Sequence, residues 1–173
     1  CIRDRYYGMS TSVSSLNILI ATTSNTLNCQ INGINGQVEL NAFFNANNGQ
    51  WHNFDILYSH EENNFSIYIN GLLMANTDQT IGTILNDNNF ITHIGALGSA
   101  AYIGSIDNVK IWDKILSENE IIAYSECTPN GTEPDLIGFW NFEEGSGNIA
   151  YDLSGNGNHG SIIGATYSTD VPE

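Results

Sequence analysis

Positive charge is nearly missing from this chain: four Lys and Arg face 19 Asp and Glu among 173 residues, a formal net charge of −15. Nucleic acid and anionic lipid are held by Lys and Arg that neutralise phosphate, so the composition argues against both as partners. Cations are the natural counterpart of such a surface, which brings calcium into consideration. Solvation by an acidic, Asn-rich exterior is the competing explanation. No apolar run approaches the roughly 20 residues of a membrane span, so no membrane insertion is expected. Cysteine is scarce as well. Cys1 stands in Cys1-Ile2-Arg3-Asp4-Arg5, which resembles the translation of a sequencing adaptor; residues 1–5 are therefore set aside from fold reasoning. Cys29 and Cys127 could form one disulfide in an oxidising compartment, but sequence does not pair them. No CxxC and no Cys/His spacing suggests zinc.

What is present is a short-strand pattern. Hydrophobic residues make up 41% of the chain and charged ones 13%, enough apolar material for a core in one domain. Asn17–Thr23, Leu27–Ile31, Gln37–Phe44, Trp51–Tyr58, Phe65–Asn70, Leu72–Ala75, Ile91–Ala96 and Tyr102–Trp112 read as strands. Asn32-Gly33, Asn35-Gly36 and Asn70-Gly71 suit turns that need positive φ. Such spacing predicts an all-β, antiparallel sandwich. One short helix follows: Ser117-Glu118-Asn119-Glu120 is a capping box, with Ile121, Ile122 and Tyr124 forming its apolar side. A turn-rich linker spans 128–134, and beyond it Leu136–Phe142 and Ser161–Tyr167 read as further strands.

Three stretches resemble the laminin-G-like jelly rolls of the concanavalin A-like lectin/glucanase superfamily. Trp51-His52-Asn53-Phe54 with Ile67-Tyr68-Ile69-Asn70-Gly71 is similar to the family's "WHH … LYINGK" hairpin. Gly104-Ser105-Ile106-Asp107-Asn108-Val109-Lys110-Ile111-Trp112, followed by Leu116-Ser117-Glu118, is similar to "GxIDDVRIYNRALSEEEI". Leu136–Gly147 and Tyr151–Gly160 are similar to "LVGYWNFEEGSG…DxSGNGNHG". The resemblance implies a two-sheet jelly roll whose core is 6–127. In many such modules the "WNFEEGSG" strand comes first, whereas here it follows the helix. Residues 135–173 either open a second module or pack back onto this one; the second is expected, because a short tail could not bury Trp140, Phe142 and Ile162 alone.

Two places invite a cation. Asp152, Ser154, Asn156 and Asn158, with Gly157 between the last two, put side-chain oxygens at alternate positions as in the first half of an EF-hand loop. Ile163 stands where the bidentate acid would be. A Gly/Asn turn whose side chains satisfy the backbone fits the same spacing equally well. For Asp107 the family resemblance implies a structural calcium shared with backbone oxygens near Glu143–Gly145; capping of the adjoining turn is the alternative. Trp51, Trp112 and Trp140 read as core. Tyr6, Tyr7, Tyr102 and Tyr151 fall near loops where they could stack on a sugar, and His52 and His93 read as structural groups within strands.

Catalysis finds no support. Glucanases of this fold carry Glu-x-Asp-x-x-Glu along one strand, and the nearest match, Glu133-Pro134-Asp135, lacks the third acid. Glu61-Glu62 and Glu143-Glu144 are adjacent, hence on opposite faces of an extended strand. The expected function is a non-catalytic carbohydrate-binding, matrix-binding or adhesion module of a larger secreted or cell-surface protein. Its ligand would be polysaccharide, glycoprotein or extracellular matrix, held at rim loops or a concave face with structural calcium in support. The alternatives are a structural spacer or adhesin repeat, and an accessory domain of a glycoside hydrolase.

Overall fold

The computed structural model describes residues 2–3, 16–21, 26–33, 36–45, 49–59, 61–79, 93–97, 100–101, 103–170 and 172. Tyr6, Tyr7 and Tyr102 lie outside these residues, as do Ile91 and Thr92. Of the strand expected over Ile91–Ala96, His93 is outside any strand, Ile94 and Gly95 form a bend, and only Ala96 is in a strand. The chain divides into two compact units, Arg3–Gly104 and Ser105–Glu173 with Cys1–Ile2. The two-residue strand β1 (Ile2–Arg3) falls in the pentapeptide set aside above.

In the unit Arg3–Gly104, β2 (Leu16–Ala21), β3 (Thr26–Gly33) and β4 (Gly36–Phe43) form an antiparallel sheet in the order β2-β3-β4. Side chains alternate across a strand, and here the alternation is strict. Leu27, Cys29 and Ile31 of β3 and Val38, Leu40 and Ala42 of β4 are all buried. A second antiparallel sheet holds β5 (Phe54–Ser59), β6 (Asn64–Ile69) and β7 (Leu72–Thr77). Its central strand buries Phe65, Ile67 and Ile69, and β4 lies against β6 and β7. Burying a side chain of that size stabilises by about 1.5–3 kcal/mol. A two-residue hairpin pair, β8 (Ala96–Leu97) with β9 (Ala100–Ala101), completes this unit.

Local chemistry sets the strand ends. Asn70 and Gly71 have φ of 52° and 77°, the two positive values of a type I′ turn, as the Asn-Gly pair predicts. Asn70 also ends the strand expected from Trp51. Its Oδ1 accepts from Asn53 N at 3.0 Å while its N donates to Asn53 O at 2.9 Å, so β5 begins only at Phe54. His52 therefore lies before a strand rather than in one, and His93 likewise precedes β8. Asn32-Gly33 belongs to β3, and the hairpin closes between the paired Gly33 and Gly36.

In the unit from Ser105, β10 (Ser105–Ile106) and β11 (Val109–Trp112) are separate. Asn108 at φ 52° breaks the run expected over Tyr102–Trp112. Helix α1 (Glu118–Glu126) begins as the sequence predicts: Glu120 N donates to Ser117 Oγ at 3.4 Å, and Ser117 N donates to Glu120 Oε2 at 2.8 Å. Ile121 is buried, Tyr124 stacks on Trp112 at 4.8 Å, and Lys110 Nζ donates to Tyr124 O at 2.7 Å, placing positive charge toward the helix C-terminus. No helix among the described residues is long and apolar enough to cross a membrane.

Strand β12 (Leu136–Trp140) pairs antiparallel with β11, matching Val109 to Trp140 and Ile111 to Gly138. Gly138 and Trp140 share a face, and the indole folds back over Gly138 where any Cβ would collide with it. The last pair is β13 (Ile149–Ala150) with β14 (Gly160–Ser161). The strand expected over Ser161–Tyr167 stops at Ser161, and Gly164 follows at φ 76°.

Two substitutions rank these features. Gly138→Ala displaces a packed indole and is expected to cost about 1–3 kcal/mol. Ser117→Ala removes one cap and costs about 1 kcal/mol. Urea unfolding of both variants beside the parent checks the values and the order.

Candidate functional site

The Asp152 turn is built around backbone groups of β12. Asp152 is 6% exposed, and its carboxylate accepts from Phe139 N at 3.0 Å, Ser154 N at 2.9 Å and Asn158 N at 2.9 Å. Burial alone would raise its pKa. These donors outweigh that cost and hold the carboxyl below the usual aspartate range. Ile137 O in turn accepts from Ser154 Oγ at 2.9 Å, Asn156 Nδ2 at 3.1 Å and Asn158 Nδ2 at 2.9 Å. Leu153 N donates to Phe139 O at 2.8 Å, and Trp140 Nε1 reaches Asn158 O at 3.0 Å. The turn therefore serves as hydrogen-bonding partner to the edge of β12 that faces away from β11.

This arrangement has the wrong polarity for a hard cation. Calcium needs converging oxygens, whereas here donors converge on a carbonyl and the one carboxylate is taken by N–H groups. Asp107, also 6% exposed, closes the break before β11: its Oδ1 accepts from Asn108 N and its Oδ2 from Asn108 Nδ2, both at 2.9 Å. Burial is the largest influence on it and raises its pKa, against the Asn108 hydrogen bond and Lys110. As they stand, Asp152, Ser154, Asn156 and Asn158 form a hydrogen-bonded turn whose inward amides do not fit a calcium ion, while Asp107 closes a second turn through Asn108. No cluster of three His, Cys, Asp or Glu side chains suited to a metal occurs among the described residues.

The other candidates divide between core and surface. Trp140 is buried, and Trp112 stacks on Tyr124 with Lys114 Nζ over its ring at 5.6 Å. His52 is buried with its Nδ1 3.2 Å from Asn70 Nδ2 and its ring edge-on to Phe44 at 4.5 Å. Tyr151 is 49% exposed and edge-on to His159. Glu133 holds the linker, accepting from Asn130 N at 2.8 Å and Gly131 N at 3.0 Å. Cys29 is fully buried with its thiol pushed up to about 12 by desolvation, Cys127 is exposed, and neither is in a disulfide.

A surface that sequence reading passed over lies on the outer side of β3 and β4. The register sets Asn28 opposite Asn41, Gln30 opposite Glu39 and Thr26 opposite Phe43. With Leu27, Cys29, Val38 and Leu40 turned inward, Asn28, Gln30, Glu39 and Asn41 must face out. Asn28 Nδ2 donates to Glu39 Oε1 at 2.5 Å and to Asn41 Oδ1 at 2.8 Å, and Asn41 Nδ2 donates to Glu39 Oε1 at 3.0 Å. The diagonal reach from Asn28 to Glu39 is that of neighbours on one sheet face. Asn28 Oδ1 is itself buried and has no hydrogen-bond partner, so Asn28 serves to hold Glu39 and Asn41 in place. Gln30 and the exposed Gln37 carry further amides on the same face, and Phe43, 79% exposed, ends the row. The result is a fixed array of donors and acceptors beside an apolar ring, the combination that holds a ligand with hydroxyls on its edge and C–H groups on its face. Strand alternation alone could have pointed to it.

Three measurements follow. In thiol labelling of the folded protein, Cys127 reacts while Cys29 stays protected until unfolding, because burial keeps it a thiol; peptide mapping reads both. Asp152→Ala costs about 2–3 kcal/mol near neutral pH, as expected for hydrogen bonds to a buried charge. A depressed carboxyl stabilises above its unfolded pKa and loses that contribution as pH falls through the folded value. The gap between parent and variant should therefore close below about pH 4. Calcium or chelator should leave the stability gap between the parent and Asp152→Ala unchanged; a gap that widens with calcium would contradict the geometry of this turn.

The family model Laminin_G_3, of the concanavalin A-like lectin/glucanases superfamily, matches residues 4–122. Among solved structures the chain is similar to a crystal structure from Bacteroides ovatus ATCC 8483 described as a putative carbohydrate binding protein. That likeness has a TM-score of 0.64 at 15% identity, covering 89% of this chain and 48% of the other. At such identity it shows the fold alone, and the chain spans about half the length of that structure. No curated protein matches. The family match takes in both antiparallel sheets of the first unit, the β11 strand and the start of the capped helix, and on that ground the chain belongs to the concanavalin A-like lectin/glucanases superfamily and has its jelly-roll sandwich fold.

Proposed function

We propose that this protein is a non-catalytic carbohydrate-binding module that holds an extended glycan along the outer face of β3 and β4. The single observation that carries the reading is the Asn28–Glu39–Asn41 lattice, fixed by hydrogen bonds of 2.5 to 3.0 Å and ending at the exposed Phe43. Groups already tied to one another present their remaining donors and acceptors in one geometry, so little side-chain entropy is lost on binding. Phe43 would stack on the apolar face of a sugar ring while amides meet its hydroxyls. Membership of a lectin and glucanase superfamily and likeness to a structure described as carbohydrate-binding support the reading. The acidic, Asn-rich composition suits a secreted or cell-surface setting within a larger protein, where polysaccharide or glycoprotein would be met.

Binding to a polysaccharide array, with the best ligand carried into calorimetry, tests the site. Phe43→Ala should weaken binding about 3- to 10-fold, matching the ~0.5–1.5 kcal/mol of an aromatic contact. Asn41→Ala should weaken it at least as much, since it also frees Asn28. Ile163→Ser, at an 89% exposed position of the other unit, serves as the control. Equal affinity of all variants would remove this face as the site, and silence of the folded parent on every glycan would remove carbohydrate binding and leave a spacer or protein-binding module.

A further inference from the structure

We infer that the β3–β4 face selects neutral glycans and rejects acidic ones, an inference that rests on the carbohydrate reading above. The face offers Gln30, Gln37 and Asn41 as neutral hydrogen-bonding groups and Glu39 as its charged one, with the Asn28 amide donating to Glu39 and Asn41 beneath them. An amide donates and accepts, and a sugar hydroxyl does the same, so the two are matched whichever way the hydroxyl turns. A uronate or sulfate accepts only. It needs a cation or several converging N–H groups, and it would sit beside the Glu39 carboxylate.

The cation is missing well beyond the face. From Tyr6 to Val109 the sequence contains no Lys or Arg, so within the unit Arg3–Gly104 the permanently charged cations are Arg3 and Arg5, beside three histidines. The two lysines belong to the other unit and are engaged there: Lys110 Nζ donates to Tyr124 O, and Lys114 Nζ is paired with Glu120 at 2.5 Å. With a net charge of −15, the long-range field also opposes the approach of a polyanion. The lattice itself depends on the Glu39 charge, because Glu39 Oε1 accepts from both Asn28 and Asn41. The group that orders the amides is thus the group that repels an acidic sugar.

A polycation would also be drawn to so acidic a protein, but by screened attraction rather than by the lattice. Salt separates the two cases. Raising ionic strength from about 0.1 M to 1 M shortens the Debye length from ~10 to ~3 Å, which removes diffuse attraction and leaves hydrogen bonds and stacking.

The experiment is retardation of the full chain in native gels containing one polysaccharide each: a neutral glucan, mannan or galactan, polygalacturonate, a sulfated galactan, and chitosan. Calorimetry at both salt concentrations follows for whatever retards. The expected result is retardation by at least one neutral polymer with affinity unchanged by salt, and affinity for polygalacturonate and the sulfated polymer weaker by about tenfold or more. Equal or tighter binding of either acidic polymer overturns the selectivity while leaving carbohydrate binding intact. Binding to chitosan alone, lost at high salt, overturns it as well. No retardation by any polymer, from a chain shown to be folded, overturns the carbohydrate reading itself and this inference with it.

Discussion

Alternation along β3 and β4 fixes two surfaces at once. Successive side chains of a strand point to opposite faces, so the run that buries Leu27, Cys29 and Ile31 against Val38, Leu40 and Ala42 commits Asn28, Gln30, Glu39 and Asn41 to the outside. A one-residue slip would exchange the two sets entirely, placing amides and a carboxylate in the core. The pairing of Gly33 with Gly36 at the hairpin and the apolar row together hold the register against that slip. The functional proposal therefore stands on the same constraint as the fold: the outer lattice has its geometry because the inner row must be dry.

The unit from Ser105 answers to a different obligation, the pairing of backbone groups at a strand edge. Strand β12 has β11 along one edge. Along the other, Asp152, Leu153, Ser154, Asn156 and Asn158 supply side-chain and backbone partners to Ile137 and Phe139. A turn dense in Asn, Ser and Gly can do this because its side chains are short and its glycines, Gly155 and Gly157 at φ 81° and 77°, let the chain curl tightly. The residues that looked most like a metal loop are thus what protects an exposed edge.

Much of the fold could be read from the sequence because the signals were local. The Asn70-Gly71 turn, the Ser117–Glu120 capping box and the period of Gln37–Phe44 each depend on residues within a few positions of one another. The structure departs from the sequence pattern where a distant partner decides. Asn53 and Asn70 hold each other and delay β5, Asn108 takes a positive φ and splits a strand, and the pairing of the tail ends at Ser161. The Asp152 turn shows the limit clearly: one spacing suits a cation or a strand edge, and only the carbonyl of Ile137, far back in the chain, determines that amide N–H groups point inward. The β3–β4 face was missed for the complementary reason. No single Asn or Gln on it is notable, and the array exists only once the two strands are set in register.

The most direct test of glycan binding at the β3–β4 face is an NMR titration of the protein with a neutral oligosaccharide, following backbone and side-chain amides together. The side-chain amide signals of Gln30, Gln37 and Asn41 and the ring of Phe43 are expected to shift as one set with a common affinity. Shifts confined to residues 105–170, with the β3–β4 face silent, would contradict glycan binding at that face.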